Sequence, residues 1–171
     1  RDRDDRESGQ PSTKKDVITQ KGSDTMILLA QRWSEKFREG HPNVEVQVTG
    51  GGSGTGISAL INGTTEIANA SRPMKQEERD QVRQKYSSEV VEIPVALDGV
   101  TIYVNESNPV EALSLEQVRG IYLGEITNWK EVGGPDQRII LYGRENRSGT
   151  YEFFKEHVLE KKDFPAQTQT L

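Results

Sequence analysis

Three short turns rich in glycine and hydroxyl groups each follow a predicted strand and precede a predicted helix. They lie at 22–25, 50–56 and 144–150, and the last two share a Ser-Gly-Thr core. A helix N-terminus carries unpaired backbone N–H groups and a partial positive charge, and glycine lets the backbone come close to a ligand. A repeated strand–turn–helix unit with such turns favours an α/β fold that binds an anion at the carboxyl ends of its strands.

Hydrophobic periodicity predicts the elements around these turns. Alternating or continuous apolar residues predict strands at 17–19, 44–48, 67–70 and 138–142. Apolar residues at spacings of three and four predict helices near 26–37, 57–61, 114–122 and 153–158, and the charged stretch 75–87 predicts an exposed helix. Residues 90–104 are predicted to form one long extended segment, with a bend at Asp98-Gly99 where the chain crosses between two lobes.

Composition narrows the possible function. Residues 1–16 contain almost no apolar side chains and are expected to form a disordered tail or tether. The formal net charge of -5 leaves no basic stripe for nucleic acid, although local donors can still bind one small anion. The chain has no cysteine, which excludes disulfides and thiolate metal sites. No His/Asp/Glu cluster has metal-ligand spacing, so we expect neither a metal nor a cofactor.

The glycine-rich turn at 50–56 matches neither common nucleotide motif. Both the dinucleotide fingerprint and the P-loop fail at Ile57, where the first requires glycine and the second lysine. The five glycines of this turn, beside Ser53 and Thr55, resemble an amide nest for an anion. The alternative is a flexible connection between a strand and a helix.

The other two turns supply further candidate ligands. Ser23 and Thr25 are candidate donors, with Asp24 ranked below them, and the alternative is that Ser23 or Asp24 caps the following helix. Arg144 directly follows a predicted strand, where its guanidinium could bind a tetrahedral oxyanion through two hydrogen bonds, unless it is a surface arginine. Ser148-Gly149-Thr150 opens the next helix.

The sequence leaves alternatives open for two further charged residues. Arg72 follows a short strand, and it is either a second cation for the ligand or an exposed charge. Asp98 stands in a mostly apolar run and needs a hydrogen-bond donor if it is buried. That donor could come from the chain or from a proton on the ligand.

Five motifs in order resemble one known family, the phosphate-binding components of bacterial ABC-type phosphate importers. They are Gly22-Ser23-Asp24-Thr25, Gly52-Ser53-Gly54-Thr55-Gly56, Ala70-Ser71-Arg72-Pro73, Ile121-Tyr122-Leu123-Gly124 with Asn128-Trp129, and Arg144 with Ser148-Gly149-Thr150. The resemblance implies a type II periplasmic-binding-protein fold of two lobes, each a mixed sheet flanked by helices, that closes on one phosphate ion. Its partial lobes would be 17–98 and 99–171.

The resemblance also implies partners and a location. Phosphate would be bound outside the cytoplasmic membrane and passed to a membrane permease, with a lipid anchor on the precursor left open. Family members run well beyond residue 171, so we expect the second lobe to be truncated, with a separate chain as one source of the remainder. No enzymatic activity is implied.

One departure from the family bears on selectivity. Some members have an aspartate where this chain has Arg72, and that carboxylate accepts the proton of hydrogen phosphate. We therefore expect Asp98, or failing that Asp24, to exclude sulfate, which has no proton to donate. The alternatives are a receptor for sulfate or molybdate, a phosphate-sensing module, and a phosphoesterase that uses Ser53 or Ser148 as its nucleophile.

Overall fold

A three-stranded parallel sheet organises the first half of the chain in the computed structural model, which describes residues 16–170. The strands are β1 (Asp16–Gly22), β2 (Val44–Thr49) and β3 (Ile67–Asn69), in the order β2–β1–β3. The helices of this half are α1 (Ile27–Gly40), α2 (Ser53–Asn62) and α3 (Gln76–Tyr86). Because parallel strands need crossover connections, α1 and α2 join successive strands.

The predicted amphipathic patterns of β2 and α2 are confirmed, whereas Leu29, Trp33 and Phe37, the predicted apolar face of α1, are exposed. Val44, Val46 and Val48 of β2 are half-buried and alternate with exposed residues. On the other side of the sheet, Ile57 and Val82 belong to a buried cluster with Met74. In chain order, β1 and β2 each end at one of the first two glycine turns.

The second half contains less regular structure and has its own core. Its elements are α4 (Leu115–Tyr122), a 3-10 turn (Trp129–Val132), β4 (Tyr142–Gly143), α5 (Gly149–His157) and β5 (Gln169–Thr170). Val118, Phe154 and Leu159 form one buried cluster, and Ile121, Ile139 and Leu141 form another, with Leu113 and Tyr122 touching both. The buried clusters of the two halves are separate. The boundary between two lobes at residues 98 and 99 stays a prediction.

The predicted strand at 138–142 is largely wrong. Ile139 and Leu141 are buried as its pattern requires, but only Tyr142 belongs to a strand, with Gly143 after it. Arg138 forms an isolated bridge with Asn128 instead. The only strand beside β4 in residues 16–170 is the two-residue β5, so a longer β4 would have no neighbour to pair with.

The extended segment predicted at 90–104 is not a sheet strand. Its alternating apolar side chains are exposed, with Val91 at 80%, Ile93 at 74% and Leu97 at 102% exposure. A strand needs a neighbour for its backbone N–H and C=O groups, and none of the described strands lies beside it. Val90 packs against the cluster of Ile57, Met74 and Val82, whereas the large apolar side chains from Val91 to Val104 are exposed.

The N-terminal boundary also differs slightly from the prediction. Asp16 is the first residue of β1, whereas the tail was expected to include it; the rest of the predicted tail, 1–15, lies outside the described residues. No helix in residues 16–170 is both long and apolar enough to span a membrane.

Candidate functional site

The N-termini of α2 and α5 meet at the centre of the candidate site. A side chain on Gly149, the first residue of α5, would overlap the hydroxyls of Ser53 and Ser71. Ser53, the first residue of α2, is fully buried. Its Oγ accepts a hydrogen bond from the Ser71 N–H at 3.1 Å and lies 3.2 Å from the Ser71 Oγ. Glycine at 149 thus permits an approach that no other residue type would allow.

The two helices together present backbone donors. Within residues 16–170, no protein acceptor bonds the backbone N–H groups of Ser53, Thr55, Gly149 and Thr150. These amides belong to the first turns of α2 and α5, where a helix has no internal acceptor for them. Two adjacent helix N-termini with unpaired amides provide a strongly favourable place for an anion.

Three glycine N–H groups of the 50–56 turn bind protein acceptors, so they do not form the predicted amide nest for an anion. The N–H groups of Gly51, Gly52 and Gly54 donate to the Asp24 Oδ1 at 2.9 Å, the Gly22 carbonyl at 3.0 Å and the Arg147 carbonyl at 3.2 Å. Gly51 and Gly52 adopt positive φ angles of 113° and 87°. The turn therefore joins the first and third turns, while its unpaired amides are those of Ser53 and Thr55.

The first turn lies against the second without capping a helix through its side chains. Ser23 is 3% exposed and makes no side-chain cap, and its N–H donates to the Asn69 carbonyl at 2.8 Å. Asp24 instead accepts the Gly51 N–H and faces Arg144. Thr25 is exposed. Ser23 occupies the N-cap position of the 3-10 turn Asp24–Met26, but its side chain makes no capping hydrogen bond, and the Asp24 side chain binds the Gly51 N–H instead.

Arg144 extends from the third turn towards the first. Its Nη2 lies 3.6 Å from the Asp24 Oδ2 and 3.1 Å from the Glu145 Oε1, and its side chain is 37% exposed. Hydrogen bonding from Arg144 lowers the pKa of Glu145. Glu145 is a site residue that the sequence interpretation missed, although its position beside Arg144 was the available signal.

Ser148 is the N-cap that precedes α5 in the third turn. Its Oγ accepts the Tyr151 N–H at 3.4 Å as the N-cap, and the residue is 3% exposed. Thr150 is half-buried beside it. The side chain of Arg147 is exposed, while its carbonyl accepts the N–H of Gly54 in α2.

Arg72 is neither an exposed charge nor a free cation. Its side chain is 9% exposed, and Nη1 and Nη2 donate to the two carboxylate oxygens of Glu78 at 2.9 and 2.8 Å. Burial opposes ionisation of Glu78, but the hydrogen bonds from Arg72 and from the Lys75 N–H outweigh it and lower the pKa of Glu78. The guanidinium is thus paired with a protein carboxylate at the start of α3. The sequence interpretation did not consider this partner.

Asp98 is not brought to the other candidates. It lies on the exposed segment 91–104, and its Oδ1 accepts the N–H of the next residue, Gly99, at 2.8 Å. Asp98 needs a partner only if it is buried, and it is exposed, as are its apolar neighbours Leu97 and Val100. Asp24 is the predicted carboxylate that the structure places beside Arg144.

Comparison with known proteins identifies the architecture. A family profile described as the PBP superfamily domain matches residues 7–170. The chain belongs to the PBP superfamily. This PBP domain is 35% identical over 149 residues to the phosphate-binding protein PstS of Staphylococcus haemolyticus, covering 85% of this chain and 47% of the relative. It is 36% identical over 143 residues to PstS of Bacillus subtilis, covering 84% and 46%.

Solved structures show the same PBP fold. One contains bound phosphate and is from Clostridium perfringens, where it is assigned as the substrate-binding protein of a phosphate ABC transporter. It matches with a TM-score of 0.80 and 33% identity, and the match covers 91% of this chain and 61% of that one. An ABC-type phosphate transport receptor from Vibrio cholerae matches with a TM-score of 0.70 and 35% identity, covering 90% and 62%. These matches confirm the predicted fold and family resemblance. The chain spans about half the length of the curated relatives it matches.

Proposed function

We propose that this PBP domain belongs to an extracytoplasmic receptor that binds inorganic phosphate and delivers it to the membrane permease of an ABC importer. The observation that carries the proposal is the meeting of the α2 and α5 N-termini at Ser53 and Gly149, with Arg144 close to the first turn. The relatives named phosphate-binding proteins support phosphate as the anion. The function is binding rather than catalysis.

The proposed ligand set combines neutral donors with one cation. Backbone N–H groups and hydroxyls replace the hydration shell of the ion, and the Arg144 guanidinium offsets its charge. The proposed residues are Ser23, Asp24, Thr25, Ser53, Arg144, Ser148, Gly149 and Thr150. Arg72 is left out because Glu78 already occupies its guanidinium, and Asp98 because it lies on an exposed segment. Closure of two lobes about a hinge would bring the donors onto the anion.

Asp24 is the proposed discriminator between phosphate and sulfate. Its Oδ1 already accepts the Gly51 N–H, so its Oδ2, 3.6 Å from Arg144, is the oxygen that can accept a proton from hydrogen phosphate. Sulfate has no such proton, and two acceptors facing each other would remain unpaired. Loss of this selectivity in Asp24→Asn, with phosphate still bound, would support the assignment.

The exposed segment 91–104 supports a further part of the proposal. Its apolar side chains have the period-two pattern of a strand, but within residues 16–170 they remain exposed, from 37% at Val104 to 102% at Leu97. Exposed apolar runs of this length are typical of surfaces that another polypeptide covers. We propose that further polypeptide covers this segment in the whole protein, from the same chain or from a separate one.

Calorimetric titration with phosphate, with sulfate as the control ligand, tests the proposal. Saturable heat is expected with phosphate alone. Arg144→Ala should weaken binding by about 2–4 kcal/mol, as expected for the loss of a charged hydrogen-bonding partner. Arg32→Ala is the matched control, because Arg32 pairs with Glu35 on α1 with 80% of its side chain exposed, and it should bind as the unaltered chain does.

The other outcomes lead to distinct conclusions. Equal heats with both ions would indicate a general oxyanion receptor and remove Asp24 as discriminator. Heat with neither ion would be followed by the same titration of the protein at the full length of its relatives. Absence of binding there would contradict phosphate binding altogether.

A further inference from the structure

The carboxylate of Glu145 occupies one edge of the Arg144 guanidinium. The Arg144 Nη2 donates to Oε1 at 3.1 Å and Nε donates to Oε2 at 3.4 Å. Nε and Nη2 form an edge that can make two parallel hydrogen bonds with a carboxylate or a phosphate. Glu145 therefore holds Arg144 in the way that a bound oxyanion would hold it.

Local charge makes this contact unfavourable for an incoming anion. Arg144 carries one positive charge, while Asp24 and Glu145 each place a carboxylate oxygen within 3.6 Å of its Nη2. The three groups together carry a net negative charge. An anion approaching Arg144 is thus repelled unless one carboxylate moves away.

The two carboxylates differ in how they are anchored. Asp24 is tied to the 50–56 turn by the hydrogen bond from Gly51 at 2.9 Å. Glu145 lies on the irregular loop between β4 and α5, and its side chain is 31% exposed. It can rotate into solvent without displacing a helix or a strand, so Glu145 is the carboxylate that can leave.

We propose that Glu145 is an internal competitor that occupies Arg144 in the free protein and leaves it when phosphate binds. This inference rests on the proposed function and adds a residue that sets the affinity of the same site. Glu145 pairs with Arg144 in the free state. Displacing Glu145 costs free energy, so the net free energy of phosphate binding is less favourable. The receptor then binds phosphate less tightly than its donors alone would allow.

Phosphate titration of Glu145→Gln tests the competition. The affinity is expected to rise about three- to tenfold, because a neutral amide holds the guanidinium less strongly and does not repel the anion. Glu160→Gln is the matched control, since Glu160 also pairs with an arginine, Arg119, at 2.9 Å but on a different part of the fold. Its affinity should equal that of the unaltered chain. An unchanged or weakened affinity in Glu145→Gln would overturn the inference.

A second measurement does not depend on phosphate binding. The Nε–H NMR signal of Arg144, assigned through Arg144→Lys, should report a hydrogen-bonded guanidinium in the free protein and a freely exchanging one in Glu145→Gln. Identical signals in the two proteins would show that Glu145 does not hold Arg144 and would overturn the inference. If the protein at the full length of its relatives also fails to bind phosphate while the signal changes, the proposed function fails and the contact itself is supported.

Discussion

Single residues decide how closely the N-termini of α2 and α5 approach each other. Gly149 has no side chain where Ser53 and Ser71 place their hydroxyls, so the first turn of α5 can lie against the first turn of α2. Ser53 is fully buried at this contact, and Ser148 is 3% exposed beside it. The unpaired amides of both helices thus share one small region.

Gly149→Ala should weaken phosphate binding at least tenfold and destabilise the fold by about 1–3 kcal/mol, the usual range for overpacking. The added methyl group overlaps two hydroxyls and forces α5 away from α2. Denaturant unfolding and phosphate titration measure the two effects. Gly40→Ala is the control, because no atom lies within 4 Å of a methyl group there, and its phosphate affinity should not change. Normal affinity in Gly149→Ala would show that the helix contact is unimportant for binding.

At the level of elements, α3 is attached to the sheet through a buried ion pair. Glu78 in its first turn accepts both terminal nitrogens of Arg72, which follows β3, and also the Lys75 N–H at 2.8 Å. Side-chain exposures of 9% for Arg72 and 19% for Glu78 leave little solvent to replace either partner. Removing one charge would leave the other buried without a partner of opposite charge.

Glu78→Gln should lower the free energy of unfolding by about 3 kcal/mol at neutral pH. This difference in the free energy of unfolding should shrink on acidification, because folding lowers the pKa of Glu78. The ionised carboxylate stabilises the fold fully at pH values above its pKa in the unfolded chain. That stabilisation is lost as the pH falls through its pKa in the folded protein. Denaturant unfolding as a function of pH measures this. Glu39→Gln, on an exposed pair with Lys36, should cost less than about 0.5 kcal/mol. A difference independent of pH would exclude the ionised pair as its cause.

Across the whole molecule, the two halves have separate cores and meet at a few polar contacts. The Gly54 N–H binds the Arg147 carbonyl at 3.2 Å, and Lys75 of the first half pairs with Glu152 on α5 at 2.9 Å. Such contacts are weak individually and can break and reform as the halves move. This arrangement is compatible with closure around a ligand.

Reversing one charge of the Lys75–Glu152 pair should weaken phosphate binding, and reversing both should restore it. Lys75→Glu, Glu152→Lys and the double variant form a cycle, with an expected coupling of about 0.2–1 kcal/mol because the pair is partly exposed. Phosphate titrations at low salt measure it. The same cycle on Lys36 and Glu39, within α1, is the control. Additive effects at Lys75 and Glu152 would exclude a role for this contact in binding.

Local signals in the sequence correctly located most elements. The alternation of β2, the apolar stripe of α1 and the Ser148 cap of α5 depend on neighbours within one strand or one helical turn, so they can be read from the chain directly. The strand–turn–helix order also placed the three turns at one end of the fold. The predicted strand at 138–142 failed because strand formation needs a partner that is distant in sequence.

By itself, the sequence determined the helices, the three strands of the first half and the turns that carry the candidate donors, because periodicity and capping are local. Only the tertiary structure decided which charged residues meet. It paired Arg72 with Glu78, left Asp98 exposed, and placed Asp24 and Glu145 around Arg144. These pairings depend on distances across the fold and on burial, since a charge removed from water must find an opposite charge or a hydrogen-bond partner nearby.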